Sequence, residues 1–452
     1  MSAFFIGLLK TFGVNRAIAF GVITRMWSAL AGPLTIVLIA TRFSKVEQGY
    51  YYTFSSLLAL QVFFELGLLT VLAQFAAHEF AFLSWEEKGE ITGSQEHRDR
   101  FVDLLGKGVK WYAVSALLLV LVLIPSGFLF FAQSSDTSVD FSWRIPWALA
   151  VIGVGCNLLL IPFYAVITGS GDVVSINHRE MLGGMAGSVL GWLVIACGGG
   201  LYAIPAVTTG TIITGIGYLF KSKRVLVRTA FVSAFGTKRP THTVSWWTEV
   251  WPMQWKIALS WISGYFIFQL FTPVLFKFHG PVVAGQMGMT LSVWNAILST
   301  CAIWMTVKAP EFGRLISLKK WIELDQEFYR ALKQSLFVAL LICSSALSVI
   351  YFIQRNWSRF GERLIPTQYL LLMFVALLAQ VIINGLAVYL RAHKQEPFLL
   401  LSVFGALSQG VCVIIVGEKF SYPGITLGFA CINMILIFPA YMIWSQCKKS
   451  WR

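Results

Sequence analysis

Long apolar runs separated by short polar stretches extend along the whole chain. Twelve runs are long enough to span a membrane, because about 20 apolar residues cross the hydrocarbon core as a helix. They lie at residues 17–41, 50–77, 109–132, 146–168, 182–200, 202–220, 257–277, 284–307, 334–353, 367–390, 397–416 and 422–446, numbered here as spans 1–12. The pattern predicts an all-α integral membrane protein with twelve transmembrane helices.

Two features at the edges of these runs need an interpretation of their own. Spans 5 and 6 are divided only by Gly198, Gly199 and Gly200 with Tyr202, and this glycine-rich segment predicts a tight turn. Residues 1–16 carry aromatic and aliphatic side chains at helical spacing and no cleavage site for a signal peptide. They predict an amphipathic helix that lies on the membrane surface.

Composition agrees with a membrane protein and excludes several other classes. Apolar residues make up 57% of the 452 residues and charged residues 12%, whereas soluble domains have about 45–50% and about 25%. A soluble enzyme, a secreted disulfide scaffold and a disordered chain are therefore excluded. The seven cysteines form no CxxC or Cys/His metal spacing, so we interpret them as packing residues.

The net charge of +14 is explained by the loops. With twelve spans both termini lie on one side, and the loops on that side hold most of the 35 lysines and arginines. Positive residues collect in cytoplasmic loops, so both termini are predicted to be cytoplasmic. The charge thus requires no nucleic-acid partner.

The longest polar break divides the chain into two halves of six spans each. We predict an N-terminal six-helix bundle over residues 1–220, including the surface helix, a cytoplasmic linker over 221–255 and a C-terminal six-helix bundle over 256–452. Two bundles of six spans have the same orientation and can surround a central cavity. Arg42-Phe43 at the end of span 1 matches Lys277-Phe278 at the end of span 7, so Arg42 and Lys277 are predicted to form an outer gate.

Two motifs lie in the first hairpin, Glu47-Gln48-Gly49-Tyr50-Tyr51 and Phe64-Glu65-Leu66-Gly67-Leu68. This hairpin resembles that of bacterial polysaccharide flippases, the O-antigen and repeat-unit exporters of the multidrug/oligosaccharidyl-lipid/polysaccharide (MOP) superfamily. Those proteins typically carry Gly-x-Tyr after a short acidic turn and an acidic-Leu-Gly-Leu run in span 2. The motifs cover only about the first 80 residues, while the helix count and the duplication fit the whole chain.

The resemblance implies a function and a location. The chain would be a flippase of the bacterial cytoplasmic membrane that moves a polyprenyl-pyrophosphate-linked oligosaccharide by alternating access, for surface polysaccharide or lipopolysaccharide synthesis. Its implied partners are this lipid-linked substrate, membrane lipids and other membrane proteins of polysaccharide assembly.

Two charged residues lie deep within spans, where an ionised side chain is costly. Arg25 in span 1 and Glu65 in span 2 are both about 25 Å below the outer turn at 1.5 Å per residue. They can form an ion pair that fastens spans 1 and 2. Alternatively, Arg25 lines the cavity and contacts a pyrophosphate, which suits its forked donors, while Glu65 competes for Arg25 or carries a proton.

Further candidate cavity residues are polar side chains in or beside other spans. Lys256 at the start of span 7 either extends to lipid headgroups or forms a basic entry to the cavity. Span amides either join neighbouring helices or bind sugar hydroxyls. The candidate amides are Asn157, Gln269, Asn295, Gln380 and Asn384.

Signatures of enzymes are missing from the sequence. It has no phosphate-binding loop, HExxH or GxSxG in a suitable context, so we predict a non-enzyme without a cofactor or metal. Transport would be driven by a gradient of H⁺ or Na⁺, by the membrane potential or by consumption of the product on the far side. One alternative is a multidrug/cation antiporter, which favours acidic cavity residues. The other is a membrane polymerase or glycosyltransferase, which usually has a large outer loop, whereas the longest here are 133–145 and 354–366.

Overall fold

The computed structural model describes residues 16–86, 89–133, 141–236, 241–393 and 395–451, without the side chains of residues 16–23, 25, 26, 28 and 29. The predicted surface helix at the N-terminus lies almost wholly outside the described residues, as does the side chain of Arg25.

The described residues of the N-terminal part fold into helices, with a short β-hairpin and 3₁₀ turns. The hairpin pairs β1 (Leu83–Trp85) with β2 (Ile91–Gly93) in antiparallel register, and the 3₁₀ turns are Ala59–Gln61 and Gly200–Tyr202. The helices are α1 (Arg16–Arg42), α2 (Lys45–Leu58), α3 (Val62–Glu65), α4 (Leu68–Phe80), α5 (Gln95–Gln133), α6 (Arg144–Leu158), α7 (Ile161–Gly169), α8 (Val173–Ala196), α9 (Ala203–Ser222) and α10 (Arg224–Phe235).

The C-terminal part contains longer helices, two of which are interrupted by one residue with positive φ. Gly280 (φ 84°) breaks α12 and Ser421 (φ 55°) breaks α16. Each break falls between two predicted spans, 7 and 8 in α12 and 11 and 12 in α16. After a π-helical turn at Trp246–Val250, the helices are α11 (Trp251–Phe268), α12 (Phe271–Ser317), α13 (Trp321–Asn356), α14 (Ser358–Gly361), α15 (Thr367–Ala392) and α16 (Leu399–Ser450).

The predicted fold class, an all-α integral membrane protein, is confirmed. Among the described residues, seven helical segments are long and apolar enough to cross a membrane. The pair Lys45–Glu65 and Leu68–Phe80, bent by 44°, makes an eighth if it counts as one span. Two of the seven segments, Trp246–Ser317 and Leu399–Ser450, each contain two predicted spans. The total of twelve stays a prediction.

Residue contacts group the chain into two compact units. Unit 1 comprises Met1–Leu38 and Leu58–Ile262, and unit 2 comprises Ile39–Leu57 and Ser263–Arg452. The last turn of α1 and nearly all of α2 therefore pack within unit 2, although the segments on either side belong to unit 1. We call this segment the α1–α2 hairpin. The predicted boundaries at residues 220 and 256 did not anticipate this exchange of a hairpin.

The glycine-rich turn between spans 5 and 6 is confirmed. Helix α8 ends at Ala196 and α9 begins at Ala203, while Gly198 (φ 79°) and Gly200 (φ 51°) adopt the left-handed conformation that glycine reaches without a steric cost. The two helices then pack closely. A Cβ atom at Gly210 would lie 2.7 Å from the backbone nitrogen of Gly187, as small residues allow between membrane helices.

The predicted linker, residues 221–255, contains more regular structure than its polarity suggested. Leu226, Ala230 and Ala234 are buried at every fourth position of α10, and this spacing places them on one face of a helix. That face packs on α5, where the Ser233 hydroxyl donates a hydrogen bond to the carbonyl of Val102 (3.1 Å). The charged residues between these positions obscured the pattern in the sequence.

Close packing in unit 1 is illustrated by Gly127 on α5 and Trp147 on α6. The Trp147 indole is fully buried and donates a hydrogen bond to the carbonyl of Leu123 (3.2 Å). A Cβ atom at Gly127 would lie 2.2 Å from this ring. A well-packed interior tolerates such an addition poorly.

We expect Gly127→Ala to lower the free energy of unfolding by about 1–3 kcal/mol, because the indole must move away from the new methyl group. The matched control is Gly217→Ala on α9, where nothing lies within 4 Å of the new Cβ atom, and it should leave stability unchanged or slightly raised. Thermal unfolding of the purified protein in detergent measures both. Equal midpoints for the two variants would contradict the packing.

Candidate functional site

The first candidate site lies where span 2 is broken. Helix α3 ends at Glu65, the residues Leu66 (φ 51°) and Gly67 (φ 65°) are left-handed, and α4 begins at Leu68. A Cβ atom at Gly67 would lie 2.5 Å from the side chain of Ile257, so glycine is favoured here by both conformation and space. The Glu-Leu-Gly-Leu motif is therefore the sequence of a helix break.

Polar groups at this break are partnered by α5. Glu65 is only 4% exposed, and its Oε1 accepts a hydrogen bond from the hydroxyl of Tyr112 (3.1 Å). The hydroxyl of Ser115, one turn further along α5, donates to the carbonyl of Phe64 (2.9 Å). Breaks in membrane helices are tolerated where neighbouring side chains satisfy the freed groups. The arrangement holds a carboxyl group inside unit 1, next to a bend.

The predicted ion pair between Arg25 and Glu65 stays a prediction, because the side chain of Arg25 lies outside the described residues. The described partner of Glu65 is Tyr112, which sequence reasoning missed. Tyr112 lies near the predicted start of span 3, where tyrosines commonly mark the membrane interface. Its position in the sequence therefore gave no signal of a contact with Glu65.

The second candidate site holds the α1–α2 hairpin in unit 2. We call it the hairpin seat and define it by Gln48, Gly49, Gly285 and Arg363. Gln48 is 1% exposed, and its Nε2 donates hydrogen bonds to the carbonyls of Gly285 (2.9 Å) and Arg363 (3.0 Å). One amide thereby joins the hairpin to α12 and to the loop before α15.

Arg363 binds the hairpin from the other direction. It is 5% exposed, and its guanidinium donates to the carbonyls of Phe43 (2.6 Å) and Ile39 (3.4 Å) and to the Oε1 of Gln48 (3.0 Å). The Ile39 carbonyl lies in the last turn of α1 and also accepts the backbone N–H of Phe43 (3.0 Å), whereas the Phe43 carbonyl directly follows the helix. Arg363 therefore binds the C-terminal end of α1. Burial lowers the pKa of Arg363, and the nearby charge of Arg359 acts in the same direction, but an arginine remains charged.

Backbone contact completes the hairpin seat. A Cβ atom at Gly49 would lie 1.9 Å from the carbonyl oxygen of Pro281, and one at Gly285 would lie 2.9 Å from the nitrogen of Gly49. The next residue, Tyr50, packs edge-on against Phe276 with ring centroids 4.9 Å apart. The Gln-Gly-Tyr run thus has a physical reason: a bridging amide, a close backbone approach and a packed ring.

The predicted site residues are divided between the two units. Unit 1 holds Glu65, half-buried Asn157 and exposed Lys256, as well as the backbone of Arg25. Lys256 lies beside Trp255, with Nζ 5.9 Å from the ring centroid. The predicted residues in unit 2 are exposed Asn295, half-buried Gln269 and Asn384, buried Gln380, and exposed Arg42 and Lys277. A single cavity lined by both sets, with an outer gate at Arg42 and Lys277, stays a prediction.

One predicted residue belongs to a polar face that the sequence did not reveal. Asn295, Ser299 and Thr306 are all exposed on α12, and spacings of four and seven residues put them on the same side of the helix. They extend over about 16 Å at 1.5 Å per residue.

Within the described parts of the chain, no group of three or more His, Cys, Asp or Glu side chains could hold a metal ion.

The chain matches no protein-family model and no curated protein. Among solved structures, it is similar to the lipid II flippase MurJ in an inward closed conformation, with TM-score 0.62 and 14% identity over 94% of this chain and 87% of that one. It is also similar to an inward-facing multidrug resistance MATE family transporter of the MOP superfamily, with TM-score 0.58 and 13% identity over 94% and 98%. The chain has the fold of MOP superfamily transporters.

This fold agrees with several predictions. The chain is a multi-pass membrane protein, and the solved proteins with this fold are a multidrug resistance transporter and a lipid II flippase. A further match, a MATE structure in complex with MaL6, has TM-score 0.51 and 12% identity over 96% of this chain and 95% of that one. The O-antigen branch, the cytoplasmic membrane and the cytoplasmic location of both termini stay predictions.

We expect Arg363→Ala to lower the free energy of unfolding by about 3 kcal/mol, because the Phe43 carbonyl and the Gln48 amide oxygen lose a charged donor in a buried place. Arg359→Ala is the matched control, since Arg359 lies exposed four residues earlier on α14, and it should cost less than about 0.5 kcal/mol. Midpoints of thermal unfolding in detergent compare the two. Indistinguishable midpoints would mean that Arg363 does not fasten the hairpin.

Tyr112→Phe should lower the free energy of unfolding by about 1–3 kcal/mol, because it removes a donor from a buried carboxyl group. The loss should be smaller when Glu65 is already replaced by Gln, since an uncharged amide is less costly to leave without this donor. A double-mutant cycle of thermal unfolding measures the coupling. The control is Tyr202→Phe, at an exposed turn. Additive effects of the two substitutions would contradict the contact.

Proposed function

We propose that the protein is a flippase that moves a polyprenyl-pyrophosphate-linked oligosaccharide across the cytoplasmic membrane by alternating access. The sugar and pyrophosphate would pass through a water-filled cavity while the polyprenyl tail stays in the lipid. The similarity to a lipid II flippase over 94% of the chain supports this class of substrate. The similarity to MATE transporters supports the alternative, a multidrug or cation antiporter.

One observation favours the flippase over the cation antiporter. Glu65 is the sole acidic residue within the twelve predicted spans, and it is buried and bound by Tyr112. A cationic substrate in the membrane needs an accessible carboxylate to offset the loss of its hydration. The described residues of these spans offer no such exposed carboxylate, whereas an anionic substrate does not require one.

Basic residues suit the pyrophosphate. Lys256 is exposed near the start of α11, at the end of span 7 that is predicted to be cytoplasmic, where the substrate would enter. Arg25 in α1 is predicted to contact the same group deeper in the membrane. Lysine binds phosphate as a point charge and arginine through paired donors, so we assign entry to Lys256 and binding to Arg25.

The polar face of α12 suits the oligosaccharide. Asn295, Ser299 and Thr306 are exposed on a membrane helix. The Asn295 amide can donate and accept, while the two hydroxyls donate to carbonyls of their own helix and keep their lone pairs as acceptors. Polar side chains within the membrane commonly face a protein interior or a water-filled cavity rather than lipid. Amides and hydroxyls both donate and accept hydrogen bonds, as sugar hydroxyls do.

Reconstitution with two kinds of substrate tests the proposal. Proteoliposomes are loaded with a fluorescent polyprenyl-pyrophosphate oligosaccharide, and flipping is followed by a membrane-impermeant quencher; uptake of a cationic dye is measured in parallel. We expect accelerated flipping and no dye uptake above that of empty liposomes. Dye uptake driven by an ion gradient, without flipping of the lipid, would overturn the proposal in favour of the antiporter.

We expect Asn295→Leu to slow flipping by about three- to tenfold, the effect of one lost hydrogen bond to the substrate. The matched control is Asn356→Leu, at the end of α13, where the Asn356 amide bonds only the carbonyl of Phe352 (2.9 Å). That variant should flip at the normal rate. A normal rate for Asn295→Leu in protein that is well folded would remove the polar face from the pathway.

A further inference from the structure

Helix α10 is held in a fixed position by its first and last turns. Lys223, the single residue between α9 and α10, is buried, with Nζ 3.1 Å from Asp172 Oδ2 and 3.7 Å from the ring centroid of Trp85. Near its end, Ser233 bonds the carbonyl of Val102. A Cβ atom at Gly106 would lie 2.4 Å from the Ser233 hydroxyl, so α10 and α5 are in close contact.

The opposite side of α10 is exposed and carries two kinds of side chain. Arg224 and Arg228 are exposed at its beginning. Phe231 and Phe235 follow at 51% and 63% exposure, with Val232 exposed beside them. The spacing of 224, 228, 231 and 235 places these residues along one stripe. A basic and aromatic stripe therefore runs along the full length of a helix whose other face is packed.

The position of α10 relative to the membrane follows from its connection to α9. The segment Gly200–Ser222 is long and apolar enough to span the membrane, and only Lys223 separates its end from α10. The helix must therefore start within a few ångströms of the membrane surface. Exposed phenylalanine rings at that level gain stability by entering the boundary between headgroups and acyl chains.

The basic residues of the stripe indicate that its ligand carries negative charge. Arg224 and Arg228 form no ion pair with any carboxylate among the described residues, and Lys221 is exposed one turn before Arg224. The acidic Glu90 and Asp99, together with Arg98, line a groove of about 340 Å³ that meets α10 at Val225, Thr229, Val232 and Ser233, and neither Arg224 nor Arg228 lines it. The arginines are thus free to meet an external anion.

We propose that the exposed stripe of α10 is a binding site for anionic phospholipids of the adjoining leaflet. Arg224 and Arg228, with Lys221, bind the phosphate-bearing headgroups, while Phe231 and Phe235 enter the acyl region. Each arginine near a negatively charged membrane surface strengthens such binding by about fivefold. The site is separate from the transport pathway, and it stands whether the substrate is a glycolipid or a cationic drug.

Lipid binding by the full-length protein tests the site directly. The protein is purified in neutral detergent and titrated with phosphatidylglycerol or phosphatidylcholine, and bound lipids are counted by native mass spectrometry. We expect the wild type to prefer phosphatidylglycerol and Arg224→Gln/Arg228→Gln to bind it about 25-fold more weakly. Arg224→Lys/Arg228→Lys should retain most of the preference, because the charge is kept.

The control removes two charges elsewhere. Arg314→Gln/Lys320→Gln changes exposed residues that pair with Glu311 and Glu323 in unit 2, and it should bind phosphatidylglycerol as the wild type does. Unchanged binding by the α10 double variant, or an equal loss in the control, would overturn the site.

Thermal unfolding in lipid-free detergent confirms that the variants are folded. If Arg224→Gln/Arg228→Gln fails to fold, Phe231→Ser/Phe235→Ser replaces it, with weaker binding expected and unchanged binding overturning the site.

Discussion

A polar group in the hydrocarbon of a membrane needs either a protein partner or water, and this requirement organises the structure. Two sets of polar groups within the predicted spans illustrate it. Glu65 and the carbonyl of Phe64 are bonded within unit 1 by Tyr112 and Ser115, and these contacts stabilise a broken helix. On α12, Asn295, Ser299 and Thr306 are exposed, and the two hydroxyls also donate to carbonyls of their own helix. We propose that this exposed set lines the path of a hydrophilic group.

The same requirement explains the hairpin seat. Arg363 supplies donors to the carbonyl of Phe43, just after α1, and to that of Ile39 in its last turn, which also accepts the Phe43 N–H. Gln48 then connects the hairpin to Gly285. Residues 39–57 pack within unit 2, while α1 begins in unit 1 and the chain re-enters unit 1 at Leu58.

Most of the fold could be predicted from the sequence, because apolar runs and glycine turns are local signals. The runs between residues 17 and 446 fall mainly on helices, with a break at Leu66-Gly67 in span 2, and Gly198 and Gly200 form the expected turn. The candidate site was harder. Arg363 and Ile39 are 324 residues apart, and nothing local to Arg363 distinguishes it from exposed Arg359. Helix α10 was missed because its arginines hide a buried stripe of Leu226, Ala230 and Ala234.

The claim that the polar face of α12 borders water is tested most directly by chemical accessibility. In a variant lacking the seven native cysteines, single cysteines replace Asn295, Ser299 and Thr306. The control is Leu340→Cys, at an exposed apolar position of α13. The polar face predicts rapid reaction of the three α12 cysteines with a membrane-impermeant maleimide in native vesicles and slow reaction at position 340. Unreactive α12 cysteines, or equal rates at all four positions, would contradict the account.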